Sequence, residues 1–89
     1  ELDSESPVGY SNRGYCLFKT GRLEDALENL DLSLQIWSRN AYAYWVRAQI
    51  HLAMGETKKA CMDLKAAEVY RYSDMYGDEV IKLMEEHCE

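Results

Sequence analysis

The sequence predicts an all-α protein, an α-α superhelix of two helical hairpins closed by a further helix at the C-terminal end. Apolar and small residues recur every three or four positions through most of the chain, which is the spacing of amphipathic helices. Only one proline is present to interrupt them. The chain also matches itself at an offset of about 34 residues, which places Gly21 on Gly55 and Leu30 on Leu64. Self-similarity at such a period indicates an array of two-helix repeats.

The composition limits the classes of partner. The chain has 89 residues, enough for one small domain with a modest core. Its formal net charge is -6 and no basic run is present, so we expect no binding to nucleic acid. No apolar run approaches the roughly 20 residues of a membrane-spanning helix. We therefore expect no membrane insertion.

The first helix has clear start and stop signals. Residues 1–6 are acidic and are predicted to form a disordered lead-in. Ser6 is suited to be an N-cap, and Pro7 suits the first helical position. Apolar or small residues then continue at helical spacing to about residue 20. Gly21 supplies the positive φ that ends a helix and turns the chain.

A second helix follows with almost no connection. Glu24 and Asp25 lie in its first turn, where acidic side chains interact favourably with the helix dipole. A leucine-rich face runs through the helix to about residue 36. Because so few residues separate the two helices, they are predicted to pack antiparallel as one hairpin, residues 7–40.

The second hairpin, residues 41–74, repeats this arrangement. Asn40 is a good N-cap for a helix over residues 41–54. Gly55 stands where Gly21 stood in the first hairpin, and a fourth helix runs from residue 57 to about residue 71. Its core side is predicted to carry Ala60 and Leu64.

The C-terminal segment, residues 75–89, is predicted to form a capping helix that begins near Ser73 or Asp74. Val80 and Met84 belong to its apolar stripe, and its other face is strongly charged. Such a helix can cover the open end of a stack of hairpins. Gly77 lies near the predicted start of this helix and is unfavourable in a helix interior.

These residues resemble the tetratricopeptide repeat, whose pattern is W-x2-L-G-x2-Y, then A-x3-F, then P. The matching residues are Tyr10-x2-Arg13-Gly14-x2-Leu17 with Ala26-x3-Leu30 in the first unit, and Tyr44-x2-Arg47-Ala48-x2-His51 with Ala60-x3-Leu64 in the second. The closing prolines are absent, and arginine replaces leucine in both units. The opening Tyr10-Ser11-Asn12-Arg13-Gly14 and the stretch Ala60-Cys61-x-Asp63-Leu64 resemble bacterial members of the family, which implies a bacterial cytoplasmic or periplasmic location.

The resemblance implies a binding groove on the concave wall formed by the first helix of each unit. Carried over by position, the groove residues are Ser11, Asn12, Tyr15, Lys19, Tyr42, Trp45 and Gln49. Aromatic anchors with hydrogen-bonding neighbours are typical of hot spots for a protein partner. The alternative is that the aromatic rings cover a neighbouring helix or the capping helix. The lysine–asparagine clamp with which some members grip a C-terminal carboxylate is missing, so that mode of binding is not expected.

Arg13 and Arg47 occupy positions that are usually apolar. They are either ligand contacts or partly buried structural residues paired with carboxylates, and we favour the second interpretation. Asp63 and Asp31 are the candidate partners of Arg47.

The three cysteines leave at least one thiol unpaired. Cys61 and Cys88 lie on the fourth and fifth helices at similar distances from the turn between them, so a disulfide is conceivable. A disulfide there would imply an oxidising compartment such as the periplasm. The alternatives are two apolar thiols in a helix interface, or a metal site with His51 and His87, which the spacing disfavours.

No sequence motif of an enzyme is present, and no cofactor is expected. The predicted function is a non-catalytic protein-interaction scaffold that binds a peptide or partner helix in the groove. The net negative charge favours neutral or basic partners. Self-association, or membership of a longer repeat array, is the alternative. A thiol-based redox sensor using Cys61 and Cys88 is the third hypothesis.

Overall fold

The computed structural model describes residues 6–88, and this part of the chain is helical without strands, which confirms the all-α prediction. Its helices are α1 Pro7–Lys19, α2 Leu23–Ile36, α3 Ala41–Ala53, α4 Thr57–Val69, α5 Tyr72–Tyr76 and α6 Glu79–His87. The predicted disordered lead-in lies, apart from Ser6, outside the described residues. No helix in the described part of the chain is both long and apolar enough to cross a membrane.

The first hairpin is formed by α1 and α2. The Ser6 side chain accepts a hydrogen bond from the Gly9 backbone N at 3.0 Å, and Pro7 takes the first helical position, as predicted. Gly21 has φ 85°, a conformation that disfavours a side chain. The two helices approach closely at Gly14, where an added Cβ would lie 2.8 Å from Leu30 Cγ. A glycine is therefore required for this crossing at its present distance.

The second hairpin is formed by α3 and α4. Asn40 caps α3, with its side chain accepting a hydrogen bond from the Ala43 backbone N at 3.3 Å. Gly55, with φ 77°, makes the turn into α4. The second hairpin packs on the first through α3, which contacts both α1 and α2.

The C-terminal segment differs from the single capping helix that we predicted for residues 75–89. A short helix, α5, begins earlier, at Tyr72, and ends at Gly77, where φ is 121° and ψ is -166°. This backbone conformation is not helical, so the helix ends there. Only glycine adopts it readily. The chain then forms α6, which packs on α4 through the buried Val80.

The core has two clusters of buried residues. One lies between the hairpins and contains Leu30, Val46 and Ile50; the other lies between α3, α4 and the C-terminal helices and contains Leu64 and Val80. Trp45 packs against both clusters from the side of α3. The molecule measures about 40 × 27 × 19 Å.

Candidate functional site

Five aromatic rings from three helices form one contiguous cluster. Tyr15 of α1 and Tyr42 and Trp45 of α3 meet Tyr72 and Tyr76 of α5. Trp45 lies 5.3 Å from Tyr72 and 5.7 Å from Tyr42 between ring centroids, and Tyr42 lies 5.9 Å from Tyr76. Tyr15 stacks on Trp45 at 6.4 Å with an angle of 17° between the ring planes. Helix α5 therefore covers part of the wall that was predicted to bind a partner.

Trp45 is largely a packing residue in this arrangement. It is half-buried, and its indole Nε1 is inaccessible, with no hydrogen-bond acceptor within residues 6–88. Both core clusters contact the side chain. For Trp45, the structure supports the alternative in which the aromatic ring covers neighbouring helices.

An apolar cleft lies beside the aromatic cluster, at the N-terminal ends of α1 and α3. It encloses about 220 Å³ and is lined by Val8, Ser11, Asn12, Trp37, Asn40, Tyr42 and Tyr76. We call it the N-terminal cleft. Val8 is 54% exposed, Trp37 45% and Tyr76 51%. Three large apolar side chains from three separate segments thus face solvent around one cavity.

The floor of the N-terminal cleft is a buried network of hydrogen bonds. Asn40 Nδ2 donates to Ser33 Oγ at 2.9 Å and to Ser11 Oγ at 3.5 Å. Ser33 Oγ in turn donates to the Pro7 carbonyl at 2.7 Å, and Ser11 Oγ to the Val8 carbonyl at 3.1 Å. The network ties α1, α2 and the start of α3 together. Ser11 is 1% exposed, so it supports the cleft from below and is not a rim contact.

The remaining predicted groove residues are divided among three places. Asn12 is exposed on the rim of the N-terminal cleft. Lys19 is exposed, with its Nζ 5.7 Å from the centre of the Tyr15 ring. Gln49 and Trp45 instead line a second cavity, of about 290 Å³, against α6. The predicted residues do not form one continuous groove.

Burial raises the pKa of two tyrosines in the aromatic cluster. Burial, with smaller contributions from Tyr15, Cys16 and Tyr76, raises the pKa of Tyr42 to about 12. Burial also raises the pKa of Tyr72, and the Glu79 carboxylate adds to the effect. Both hydroxyls therefore remain neutral hydrogen-bonding groups near neutral pH and are not available as bases.

Arg47 lies in an ion-pair network that joins α2, α3 and α4. Its Nε and Nη2 donate to the two carboxylate oxygens of Asp63, both at 2.9 Å, and its Nη1 donates to Asp31 at 3.0 Å. The pKa of Arg47 is raised, chiefly by the hydrogen bonds to Asp63. Both expected partners are thus confirmed. His51 joins the network through Asp63 at 3.7 Å and pairs with Glu56 at 2.8 Å.

Arg13 takes a different environment from Arg47. It is exposed, its Nε donates to Asn29 Oδ1 at 3.0 Å, and its guanidinium lies 4.8 Å from the centre of the Tyr10 ring. The prediction of a partly buried side chain is therefore wrong for Arg13, which also lies outside the lining of the N-terminal cleft.

Cys61 and Cys88 are joined by a disulfide with a Cα–Cα distance of 5.8 Å, while Cys16 is free and exposed. The disulfide fixes the end of α6 to α4. In this form neither sulfur is a thiolate, so neither is available as a metal ligand.

The roles of two cleft residues were not predicted from the sequence. Tyr76 was not assigned a role, although it stands at the same offset from Tyr42 as Gly55 does from Gly21. Asn40 was interpreted only as a helix cap, whereas its side-chain nitrogen also organises the cleft floor. The repeat offset could have identified Tyr76; nothing in the local sequence indicated the second role of Asn40.

Comparison with protein-family models and with curated proteins found no match to this chain. Function is therefore inferred from the geometry of the N-terminal cleft and its surroundings.

Proposed function

We propose that this protein is a non-catalytic interaction module that binds a peptide or a helix of a partner protein in the N-terminal cleft. The observation that carries the proposal is the convergence of three exposed apolar side chains, Val8, Trp37 and Tyr76, on one cavity. Isolated exposed apolar residues need no explanation, but a group of them around a cavity is typical of a binding surface. Tryptophan and tyrosine are also the residues most enriched among binding hot spots.

The floor of the cleft supports this function because it is already organised. The hydrogen bonds among Asn40, Ser33 and Ser11 satisfy the buried polar groups without a ligand. A partner would then lose little free energy in ordering the site. The exposed amide of Asn12 on the rim can bond to a peptide backbone and set its register.

The size and charge of the site indicate the kind of partner. A volume of about 220 Å³ is below the roughly 300–1,000 Å³ of most small-molecule sites. It suits one anchoring apolar side chain of a longer segment. The net charge of -6 favours a neutral or basic segment through long-range attraction.

We further propose that the architecture is a short tetratricopeptide-like module of two units with a C-terminal cap. The helix starts recur at the period of that repeat, which supports this architecture. Pro7 of α1 corresponds to Ala41 of α3, and Leu23 of α2 corresponds to Thr57 of α4. The disulfide supports location in an oxidising compartment such as the periplasm.

The test is affinity capture from a lysate of the source organism, followed by calorimetric titration of each captured protein. Wild type is compared with a Val8→Ser, Trp37→Ser double variant. Val69→Ser is the matched control because Val69 is 69% exposed and lies on α4, away from the lining of the N-terminal cleft. Trp45 variants are avoided because they would also disturb the core.

The proposal predicts a partner that binds wild type and Val69→Ser alike and binds the double variant at least about tenfold more weakly, since hot-spot truncations typically cost 2 kcal/mol or more. Equal affinity for all three proteins would place the binding site elsewhere. A dimeric mass that becomes monomeric in the double variant would instead assign the cleft to self-association.

A further inference from the structure

Another groove lies between α4 and the C-terminal end of α6. It encloses about 530 Å³, and its lining includes Lys58, Cys61, Met62, Lys65, His87 and Cys88. We call it the α4 groove. Four of these residues follow one another at helical spacing along a single face of α4. None of the residues that line the N-terminal cleft belongs to it.

The charge of the α4 groove is opposite to that of the whole chain. Among residues 6–88, neither Lys58 nor Lys65 has a carboxylate within ion-pair distance, and no aspartate or glutamate belongs to the described lining. Other lysines of the same region are compensated: Lys59 lies 3.9 Å from Glu56, and Lys82 lies 3.8 Å from Asp78. The α4 groove is therefore a local basic site on an acidic protein.

The surface between the two lysines is apolar. Met62 is 71% exposed, and the disulfide of Cys61 and Cys88 forms the adjoining wall. Methionine and cystine sulfurs are polarizable and fit apolar groups of varied shape. A ligand that fills the groove must therefore offer apolar groups at its centre and negative charge at the two lysines.

We propose that the α4 groove docks an acidic segment of a partner protein that carries apolar side chains among its carboxylates. Lys58 and Lys65 bind carboxylates at the two ends of the groove, and Met62 with the cystine contacts an apolar side chain between them. Charge complementarity selects this occupant, since a basic segment would meet the ammonium groups of Lys58 and Lys65, which no carboxylate of residues 6–88 pairs. This proposal does not rest on the function proposed for the N-terminal cleft.

A random-peptide phage library, selected on the immobilised oxidised protein at low salt, supplies the probe. Selection is repeated on a Lys58→Glu, Lys65→Glu double variant. Peptides enriched on wild type are synthesised, labelled with fluorescein and titrated by anisotropy. Circular dichroism verifies that each variant retains its helices. Lys59→Glu is the matched control, because Lys59 lies on α4 but lines a different cavity.

The peptides enriched on wild type and lost on the double variant are expected to be acidic and to contain leucine, isoleucine, valine, methionine or an aromatic residue. Each of Lys58→Glu, Lys65→Glu and Met62→Ser should weaken binding about fivefold, and Lys59→Glu less than twofold. Trp37→Ser should leave the affinity unchanged, which separates this site from the N-terminal cleft.

Three results would overturn the proposal. One is the absence of any peptide that depends on Lys58 or Lys65. Another is that the dependent peptides are basic or lack apolar residues. The third is that Lys59→Glu weakens binding as much as Lys58→Glu, since general charge attraction would then explain the binding without a groove.

Discussion

Arg47 is a single residue that stabilises the packing of both hairpins. Asp63 is almost entirely buried, with a side chain that is 8% exposed, and Arg47 supplies both of its short hydrogen bonds. A buried carboxylate without its cation carries an uncompensated charge. The ion pairs of Arg47 with Asp31 of α2 and Asp63 of α4 join the two hairpins.

We expect Arg47→Leu to lower the free energy of unfolding by about 3 kcal/mol, because it removes both short hydrogen bonds to the buried carboxylate of Asp63. The double variant Arg47→Leu, Asp63→Leu should recover most of this loss, since it removes both charges. Urea denaturation followed by circular dichroism measures both values. A single variant as stable as wild type would show that Asp63 is compensated by other groups.

The raised pKa of Tyr42 predicts a loss of stability in alkali. The pKa of Tyr42 is about 12 in the native protein, against about 10 in an unfolded chain. The native state therefore binds more protons than the unfolded state between these values. The free energy of unfolding should accordingly be unaffected by Tyr42 below about pH 10 and should fall as the pH rises through about 12.

Urea titrations at a series of pH values from neutral to strongly alkaline measure this dependence. Tyr42→Phe cannot ionise, so the alkaline decline should be shallower in this variant than in wild type. An equally steep decline in both proteins would show that Tyr42 does not contribute to it. Tyr72, whose pKa is also raised by burial, accounts for part of the decline that remains.

At the scale of elements, the hairpins were predictable and the C-terminal pair of helices was not. Ser6, Gly21 and Gly55 are local signals whose caps and turns lie where the sequence placed them. The start of α5 has no such signal, because Arg71, a residue that usually avoids positive φ, begins it with φ 73°. Tertiary packing of Tyr72, which is 2% exposed, accompanies this unfavourable local conformation.

Substitution of Arg71 tests that strain directly. Arg71→Gly should be about 1 kcal/mol more stable than Arg71→Ala, because the left-handed conformation is unfavourable for residues with a Cβ. Both variants lose the same exposed ion pair with Asp74, so the comparison cancels it. At Lys65, inside α4, the order should reverse, with glycine about 1 kcal/mol less stable than alanine. A lower denaturation midpoint for Arg71→Gly than for Arg71→Ala would contradict the positive φ of Arg71.

The disulfide makes a second prediction for the C-terminal helices. Titration of the denatured, unreduced protein with a thiol reagent should find a single thiol, that of Cys16. The cystine closes a loop with a sequence separation of 27. Replacing both cysteines by serine should therefore lower the free energy of unfolding by about 3 to 4 kcal/mol, while Cys16→Ser should change it little. Three thiols in the unreduced protein would contradict the pairing.

At the scale of the whole molecule, periodicity identified the helices but not which surfaces remain exposed. Spacing assigns a residue to a face of its own helix, and the partner of that face depends on residues distant in sequence. Trp45 and Tyr42 were placed correctly on one side of α3, yet α5 reaches the same side and covers part of it. The N-terminal cleft depends on such distant contacts, since Val8, Trp37 and Tyr76 come from three separate segments.

A partner bound in the N-terminal cleft can be detected directly through the two tryptophans of the chain. Their indole N–H resonances are observed by ¹⁵N NMR while a captured partner is titrated into the labelled protein. Trp37 lines the cleft, whereas the Trp45 nitrogen is inaccessible. We predict a saturable shift of the Trp37 resonance that exceeds any shift of Trp45. Saturable binding that leaves Trp37 unshifted, or that moves Trp45 alone, would contradict the assignment of the cleft.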